Sequence, residues 1–530
     1  MKSLNWQVLL TLFLASYTVS SFRVQHERGA ASVSSPAGVP PISEILDNLK
    51  NRPGGACCAA LSYVLGAKVV YPLSPGYIGT TSSFWAVQEQ TVTPNCIVEP
   101  TTTKDVSAAV FVLSAVGKHT KFSDECKFGI KSGGHTPQTG AASQPGGVTI
   151  DLAAFKQVDV SADRKTTSIG PGNRWGDVYS KLDSKGLAIP GGRVASVGVG
   201  GLITGGGVSF FSGRFGFVCD NVINYELVLP FGHVVNVNAS SSPDLYKALK
   251  GGSNNFGIVT RFDMKSFESG KFWGGAVTYP ITTLPEQVDA FVGLASAQPY
   301  DEYAALIQNF AFVAGNWFIL NEYQYTKQPP QPYPPTFKPF TDIQPQLSST
   351  LRVSNLTDFT IELGANSPPG KRALFVTLTH GLSASLLKQI YTAADTALQP
   401  IKLVAGLVYS LSFQPLPTAI TTKATSANPN SLGLDASDGN LVLTLVTISW
   451  TLATDDTAVK AAANEFLKAA KAASVKEGKS NEYLYLNYAA PGQDPIAGYG
   501  AKNQEDLRRV SRKYDPEQIF QKAVPGAFKL

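Results

Sequence analysis

Two segments of this chain have the residue types and spacing to hold a large anionic ligand. The first reads Lys131-Ser132-Gly133-Gly134-His135-Thr136, and the second, about sixty positions on, is the glycine run from Gly191 to Gly207. Glycine admits positive φ and lets backbone N–H groups approach an anion with no Cβ in the way. Two such loops can wrap a phosphate-bearing cofactor, and His135 adds a ring nitrogen at the end of the first.

The glycines are not of the nicotinamide-dinucleotide type. That fingerprint needs G-x-G-x-x-G directly after a strand. Here Gly198-Val199-Gly200 is followed by Gly201, Leu202 and Ile203, so an isoleucine stands where the third glycine belongs. No Gly-x-Ser-x-Gly elbow marks a hydrolase, and no paired histidines accompany the cysteines as a metal set would require. Another kind of phosphate cradle is needed, and the two glycine loops with His135 are read as those of a flavoenzyme.

The elements around these loops follow from periodicity and punctuation. Cys96 to Pro100 reads as a strand, Lys104 to Val116 as a helix and Phe128 to Ile130 as a second strand, a βαβ unit ending in the Gly-Gly-His loop. Short strands are expected at Val148 to Leu152, Val158 to Val160 and Thr167 to Ile169, and a helix at Arg174 to Leu182. A hairpin is expected from Tyr225 to Val237 around Phe231-Gly232. Beyond Ser266 the pattern changes. Aromatic strands (Phe272 to Tyr279, Trp317 to Tyr325) and strands at Leu403 to Phe413 and Leu441 to Trp450 alternate with helices at Ala384 to Leu398 and Thr457 to Ala473. An α+β domain on an antiparallel sheet is the natural reading. A terminal helix is expected near Gln504 to Tyr514.

Composition sets the outer bounds. With 530 residues, 43% hydrophobic and 16% charged, the chain should bury more than one core. A net charge of +5 without dense Lys/Arg runs argues against a nucleic-acid partner. Met1 to Ser21 has the form of a secretory signal peptide, and no later stretch reaches the ~20 apolar residues of a membrane span. A secreted or secretory-pathway protein is expected. Cys57, Cys58, Cys96 and Cys126 are then candidates for one or two disulfides of open pairing, and Asn238 and Asn355 stand in glycan sequons. Cys219 is expected to be a buried free thiol.

At the level of motifs, Lys131 to His135 resembles the R/K-S/G-G-G-H loop of the berberine-bridge-enzyme-like flavoproteins of the vanillyl-alcohol oxidase superfamily. Further blocks agree: Ile150-Asp151-Leu152, Gly191 to Gly207, Phe215 to Asn221, Leu249 to Thr260, Tyr485-Leu486-Asn487-Tyr488 and Lys513-Tyr514-Asp515-Pro516. The resemblance covers about residues 70–268 and 480–522. It implies an α+β fold, a two-lobed PCMH-type FAD-binding domain with an inserted antiparallel-sheet α+β substrate domain. The boundaries would be a signal peptide at 1–21, the FAD domain at 22–268 (its PCMH-type core about 91–268), the substrate domain at 269–480 and a returning segment at 481–530.

The same resemblance assigns roles. His135 would carry a single covalent link to FAD, because Val194 stands where many relatives have a second, cysteine-linked attachment. Ser132, Gly133, Gly134, Thr136, Gly198, Gly201, Gly206 and Gly207 would cradle the pyrophosphate. Ile258 would contact the adenine side, and Val197 would sit near the ring, a size that leans towards reaction with dioxygen. Tyr485 would be the base, with Asn487 beside it and Gln414 or Tyr409 as neighbours that could stabilise a phenolate, since an unperturbed tyrosine near pKa 10 is a poor base at neutral pH. His26, His119, His233 and His380 are expected to be structural or superficial. The expected activity is an FAD-linked oxidase acting on an alcohol, phenol or amine of a small secondary metabolite, with O2 as electron acceptor. An oligosaccharide or simple-alcohol oxidase is the alternative, and a catalytically silent flavin-binding protein the alternative of another class.

Overall fold

The computed structural model describes residues 34–49, 55–121, 123–328, 333–425 and 428–530. The signal-peptide segment 1–21 lies outside them. The fold is α+β, built on three principal sheets.

The first sheet runs Val69–Val70, Cys96–Val98, Val148–Asp151, Phe128–Lys131, with the last three strands parallel. The helix Thr103–His119 connects two of them, started by a reciprocal cap between Thr102 and Asp105. The expected βαβ unit is present. Its two strands are parallel but not neighbours, because Val148–Asp151 lies between them. That central place suits a strand with all four residues buried. The helix Ala56–Leu65 is stapled to this layer by Cys57–Cys126 and Cys58–Cys96. Adjacent cysteines thus reach two different elements, and Cys219 is left free and buried.

The second sheet has five antiparallel strands in the order Val158–Val160, Thr166–Ile169, Ile258–Lys265, Val222–Val228, Val234–Val237. The hairpin turn contains Phe231 at φ 57, followed by Gly232 at φ 79.

The third sheet is antiparallel and nine-stranded. Its central order is Phe272–Pro280, Asn316–Tyr325, Ala304–Val313, Val408–Leu416, Leu441–Trp450, Arg372–Gly381. The sequence reading had not singled out Ala304–Val313 or Arg372–Gly381. The strand expected from Leu403 begins only at Val408, because Leu403 is 92% exposed and Gly406 turns the chain at φ 68. Alternation along the strands assigns the two faces. Tyr409, Leu411 and Phe413 join a core that includes residues of the helices Leu284–Ser296, Ala384–Leu398 and Asp456–Lys476. Ser410, Ser412 and Gln414 point the other way, into a cavity.

The tail returns to the first sheet. Ala523 accepts a hydrogen bond from Phe128 N at 2.7 Å, and Ile519, Phe520 and Val524 join the Phe128 core.

Candidate functional site

The two glycine loops meet backbone to backbone. A Cβ on Gly133 would lie 2.3 Å from Gly198 Cα, and one on Gly198 would lie 2.4 Å from Gly133 N. Ser132 Oγ ties the contact, donating to Pro171 O at 2.5 Å and accepting from Gly200 N at 3.0 Å. Beneath the first loop, the buried Lys131 ammonium lies 2.9 Å from Asp151, which also accepts from Thr80 Oγ1 and Ala153 N. Gly134 needs its freedom, with φ at 64, and its carbonyl accepts from Trp85 N at 2.8 Å. Glu89 orders the chain after the loop by accepting from the N–H groups of Gly140, Ala142 and Ser143.

Trp85 stacks on the His135 ring with centroids 4.6 Å apart, and Ser196 Oγ lies 3.3 Å from His135 Nε2. Burial, with the nearby Arg174 cation, pushes the imidazole pKa down to about 4. The ring is therefore neutral at physiological pH, the form with a nucleophilic lone pair.

These loops form one side of a cavity of about 590 Å³, within the range of small-molecule and cofactor sites. The third sheet forms the other side. Ser132, Gly133, Gly134, His135, Thr136, Val197, Gly198, Gly201 and Ile258 all line it, as do Gln414, Tyr485 and Asn487. Gly206 and Gly207 are not brought there. They turn the chain at φ 111 and 78, which favours glycine at both, and a Cβ on Gly207 would also press on Val218 at 2.7 Å. Tyr409 also departs from expectation. It faces the helices and meets Trp317 edge-on.

Tyr485 is buried, and its hydroxyl accepts from Val208 N at 2.9 Å. Burial holds its phenol well above the usual tyrosine range, against the pull of Arg193. Asn487 donates to Gly201 O at 3.0 Å and binds the tail segment to the second glycine loop. The polar centre that opens on the cavity is a neighbouring trio. Arg193 donates to Tyr488 Oη at 2.7 Å and to Gln414 Oε1 at 2.5 Å, and Tyr488 Oη lies 3.3 Å from Gln414 Oε1. The sequence reading missed Arg193. Its signal was an arginine inside a glycine run with no acidic residue between Asp183 and Asp220.

Several features fit FAD. A Cβ on Gly201 would meet no protein atom within 4 Å, so that backbone faces open cavity. The buried Asn487 Oδ1, beside the second loop, has no partner. Among the described residues no cluster of three or more His, Cys, Asp or Glu could hold a metal, and no helix is long and apolar enough to cross a membrane.

Comparison with known proteins agrees. A profile described as FAD binding domain matches residues 94–238. The FAD-dependent monooxygenase CTB5 of Cercospora beticola is 38% identical over 93% of this chain and 98% of its own length. The FAD-dependent monooxygenase sdcF of Emericella nidulans is 38% identical over 89% and 98%. Among solved structures, the wild-type BBE-like 1 protein of Physcomitrella patens superposes with a TM-score of 0.69 at 21% identity, covering 88% of this chain and 96% of that one. Xylooligosaccharide oxidase of Myceliophthora thermophila gives 0.70 at 17%, covering 89% and 98%. At these identities the structures share the fold.

Proposed function

This chain belongs to the berberine-bridge-enzyme-like FAD-linked oxidoreductases, and we propose that it is an oxidase of a small alcohol, phenol or amine. In this reading residues 22–268 and 481–530 hold the cofactor and 269–480 supply the substrate face. Bound FAD supplies the two-electron acceptor that is reoxidised by O2. The chain's own groups bind the cofactor, hold the substrate and move its proton.

The observation that carries the reading is the placement of Tyr488 Oη, at the cavity wall between Arg193 and Gln414. As a phenolate, its charge balanced by the Arg193 guanidinium 2.7 Å away, Tyr488 would take the proton of a substrate O–H or N–H directed at it. What supports Tyr488 in this role, ahead of Tyr485, is partnership. The Tyr485 hydroxyl is committed to Val208 N in a buried setting that disfavours the phenolate. Gln414 orients Tyr488, and Asn487 holds the segment that carries it. Ser132, Gly133, Gly134, Thr136, Gly198 and Gly201 contact the cofactor phosphates, Ile258 the adenine side, and Val197 lies on the ring side. Gly206 and Gly207 act through the turn beneath.

A single covalent bond from His135 to the flavin is part of the reading. It is supported by the neutral, Trp85-stacked imidazole and by Val194, which offers no second attachment. The two disulfides support passage through an oxidising compartment. A cavity lined mainly by small and apolar residues, with no carboxylate among the described residues to bind sugar hydroxyls, favours a metabolite over an oligosaccharide.

Two measurements test this. Acid-precipitated protein should keep its yellow colour in the pellet, and colour lost to the supernatant would remove the covalent bond. Turnover should release one hydrogen peroxide per substrate. Incorporation of oxygen-18 from labelled O2 into product would instead assign the monooxygenase activity named for the relatives.

A further inference from the structure

Strand register maps the substrate face of the large sheet. Val313, Val408, Ser449 and Ala373 lie in one row across four strands, and Ala311, Ser410, Thr447 and Phe375 in the next. Apart from Phe375, at one edge, these are small or β-branched residues. They make a shallow floor with hydroxyl groups exposed along it, suited to a flat ring system bearing oxygen. At the inner end of this floor, Phe375 meets Tyr488 edge-on at 6.4 Å. At the outer end stands Lys371. Lys371 lies four positions before Phe375, a distance of about 13 Å along an extended strand.

The charge around this floor is one-sided. Among the described residues no aspartate or glutamate lines the cavity, and the cations that line it are Arg193 and Lys371. Arg193 is engaged by Tyr488 and Gln414. Lys371 is half-buried, its ammonium bonded to the carbonyl of Gly406 at 3.1 Å, and it forms no ion pair among the described residues. The next residue shows what a structural cation looks like here. Arg372 points to the opposite face and pairs with Asp456. The buried acid behind the wall, Glu322, is bonded to Asn366, and burial raises its pKa to about 8, so it leaves the cavity's positive balance intact at neutral pH.

Resting on the oxidase reading above, we propose that Lys371 is a specificity residue, binding a carboxylate or other anionic oxygen group at the far end of a flat aromatic substrate whose reacting hydroxyl lies at Tyr488. The substrate class is then an elongated, ring-fused phenol or alcohol carrying an acidic group, and the sheet contributes shape and hydroxyl contacts while Lys371 contributes charge.

The test uses the full-length, flavin-loaded protein and two probes, a hydroxynaphthoate and the naphthol that lacks its carboxylate. Binding is read from the perturbation of the flavin visible spectrum, without turnover. The wild type should bind the hydroxynaphthoate about tenfold more tightly, as a charge-assisted hydrogen bond provides. Lys371→Gln should erase that preference while leaving naphthol affinity and flavin content unchanged, and Lys371→Glu should reverse it. Equal affinity for the two probes in the wild type, binding of neither probe to flavin-loaded protein, or a Lys371→Gln preference equal to that of the wild type would each overturn the proposal. Well-folded protein that carries no flavin would overturn the oxidase reading and the proposal with it.

Discussion

Gly133 and Gly198 touch through their backbones, leaving no room for a Cβ on either: on Gly133 it would lie 2.3 Å from the other's Cα. This contact joins the histidine loop to the second glycine run and sets one wall of the cavity.

Gly133→Ala should therefore destabilise the fold by roughly 3 kcal/mol, the upper part of the range for overpacking, because backbone on both sides must yield. Gly201→Ala is the informative contrast. Its Cβ meets no protein atom within 4 Å and projects into the cavity from the helix Val199–Thr204. Chemical denaturation of the flavin-free protein should show the Gly201 variant at least as stable as the wild type, since alanine favours helix by up to about 1 kcal/mol. Its flavin-to-protein absorbance ratio should nevertheless fall. A full flavin complement in Gly201→Ala would remove that backbone from the cofactor site.

The two tyrosines of the tail segment should separate by kinetics and stability. Tyr488→Phe removes the hydroxyl held by Arg193 and Gln414, and kcat should drop by about 10²–10⁴, with flavin content and melting temperature near wild type. Tyr485→Phe strips the acceptor from a buried Val208 N–H and should cost about 1–3 kcal/mol of stability. The reverse pattern, with activity abolished only in Tyr485→Phe, would return the base to Tyr485.

The motif gives the tail segment but not the partners of its two tyrosines, because Val208 N, which Tyr485 accepts from, and Arg193 and Gln414, which hold Tyr488, come from elsewhere in the chain. The glycine loops were legible because their requirement is local, a positive φ or a missing Cβ. Even so, Gly206 and Gly207 share the composition of the cradle while serving a turn packed on Val218. Strands with strong aromatic alternation, such as Asn316–Tyr325, stood out. Ala304–Val313 did not, because its cavity face carries Asn309 and Ala311, residues chosen for what they border rather than for strand propensity. The place of Val148–Asp151 between the strands of the βαβ unit is a fact of topology that no window of sequence encodes.

Lys131 and Asp151 form a charge pair with side chains only 5% exposed, directly under the Gly-Gly-His loop. Asp151→Ala leaves a buried ammonium with no counter-charge, and such losses amount to about 3–5 kcal/mol. Urea unfolding should show that drop. Replacing both partners with apolar residues should recover much of it, because the ammonium is then gone. A double variant as unstable as Asp151→Ala would mean that the carboxylate acts mainly through Thr80 and Ala153.

His380, which does not line the cavity, sets a pH dependence of stability. It is fully buried, bonded through Nδ1 to Gly381 O and through Nε2 to Thr444 Oγ1, both at 2.9 Å. Burial pushes its pKa down to about 4 from an unfolded value of 6.5. Above pH 6.5 both states are neutral and the full stability is present. As pH falls below 6.5 the unfolded chain takes up the proton and the folded one does not, so stability is lost down to about pH 4, by roughly 3 kcal/mol in all. His380→Gln keeps a donor and an acceptor without a titrating ring, so its stability should fall less steeply between pH 6.5 and 4 than that of the wild type. His135, also held down to about 4, contributes in the same window and remains in the variant, which leaves a residual slope. Parallel stability curves for the two proteins would show that His380 titrates alike in both states, and that the burial of its ring imposes no acid sensitivity.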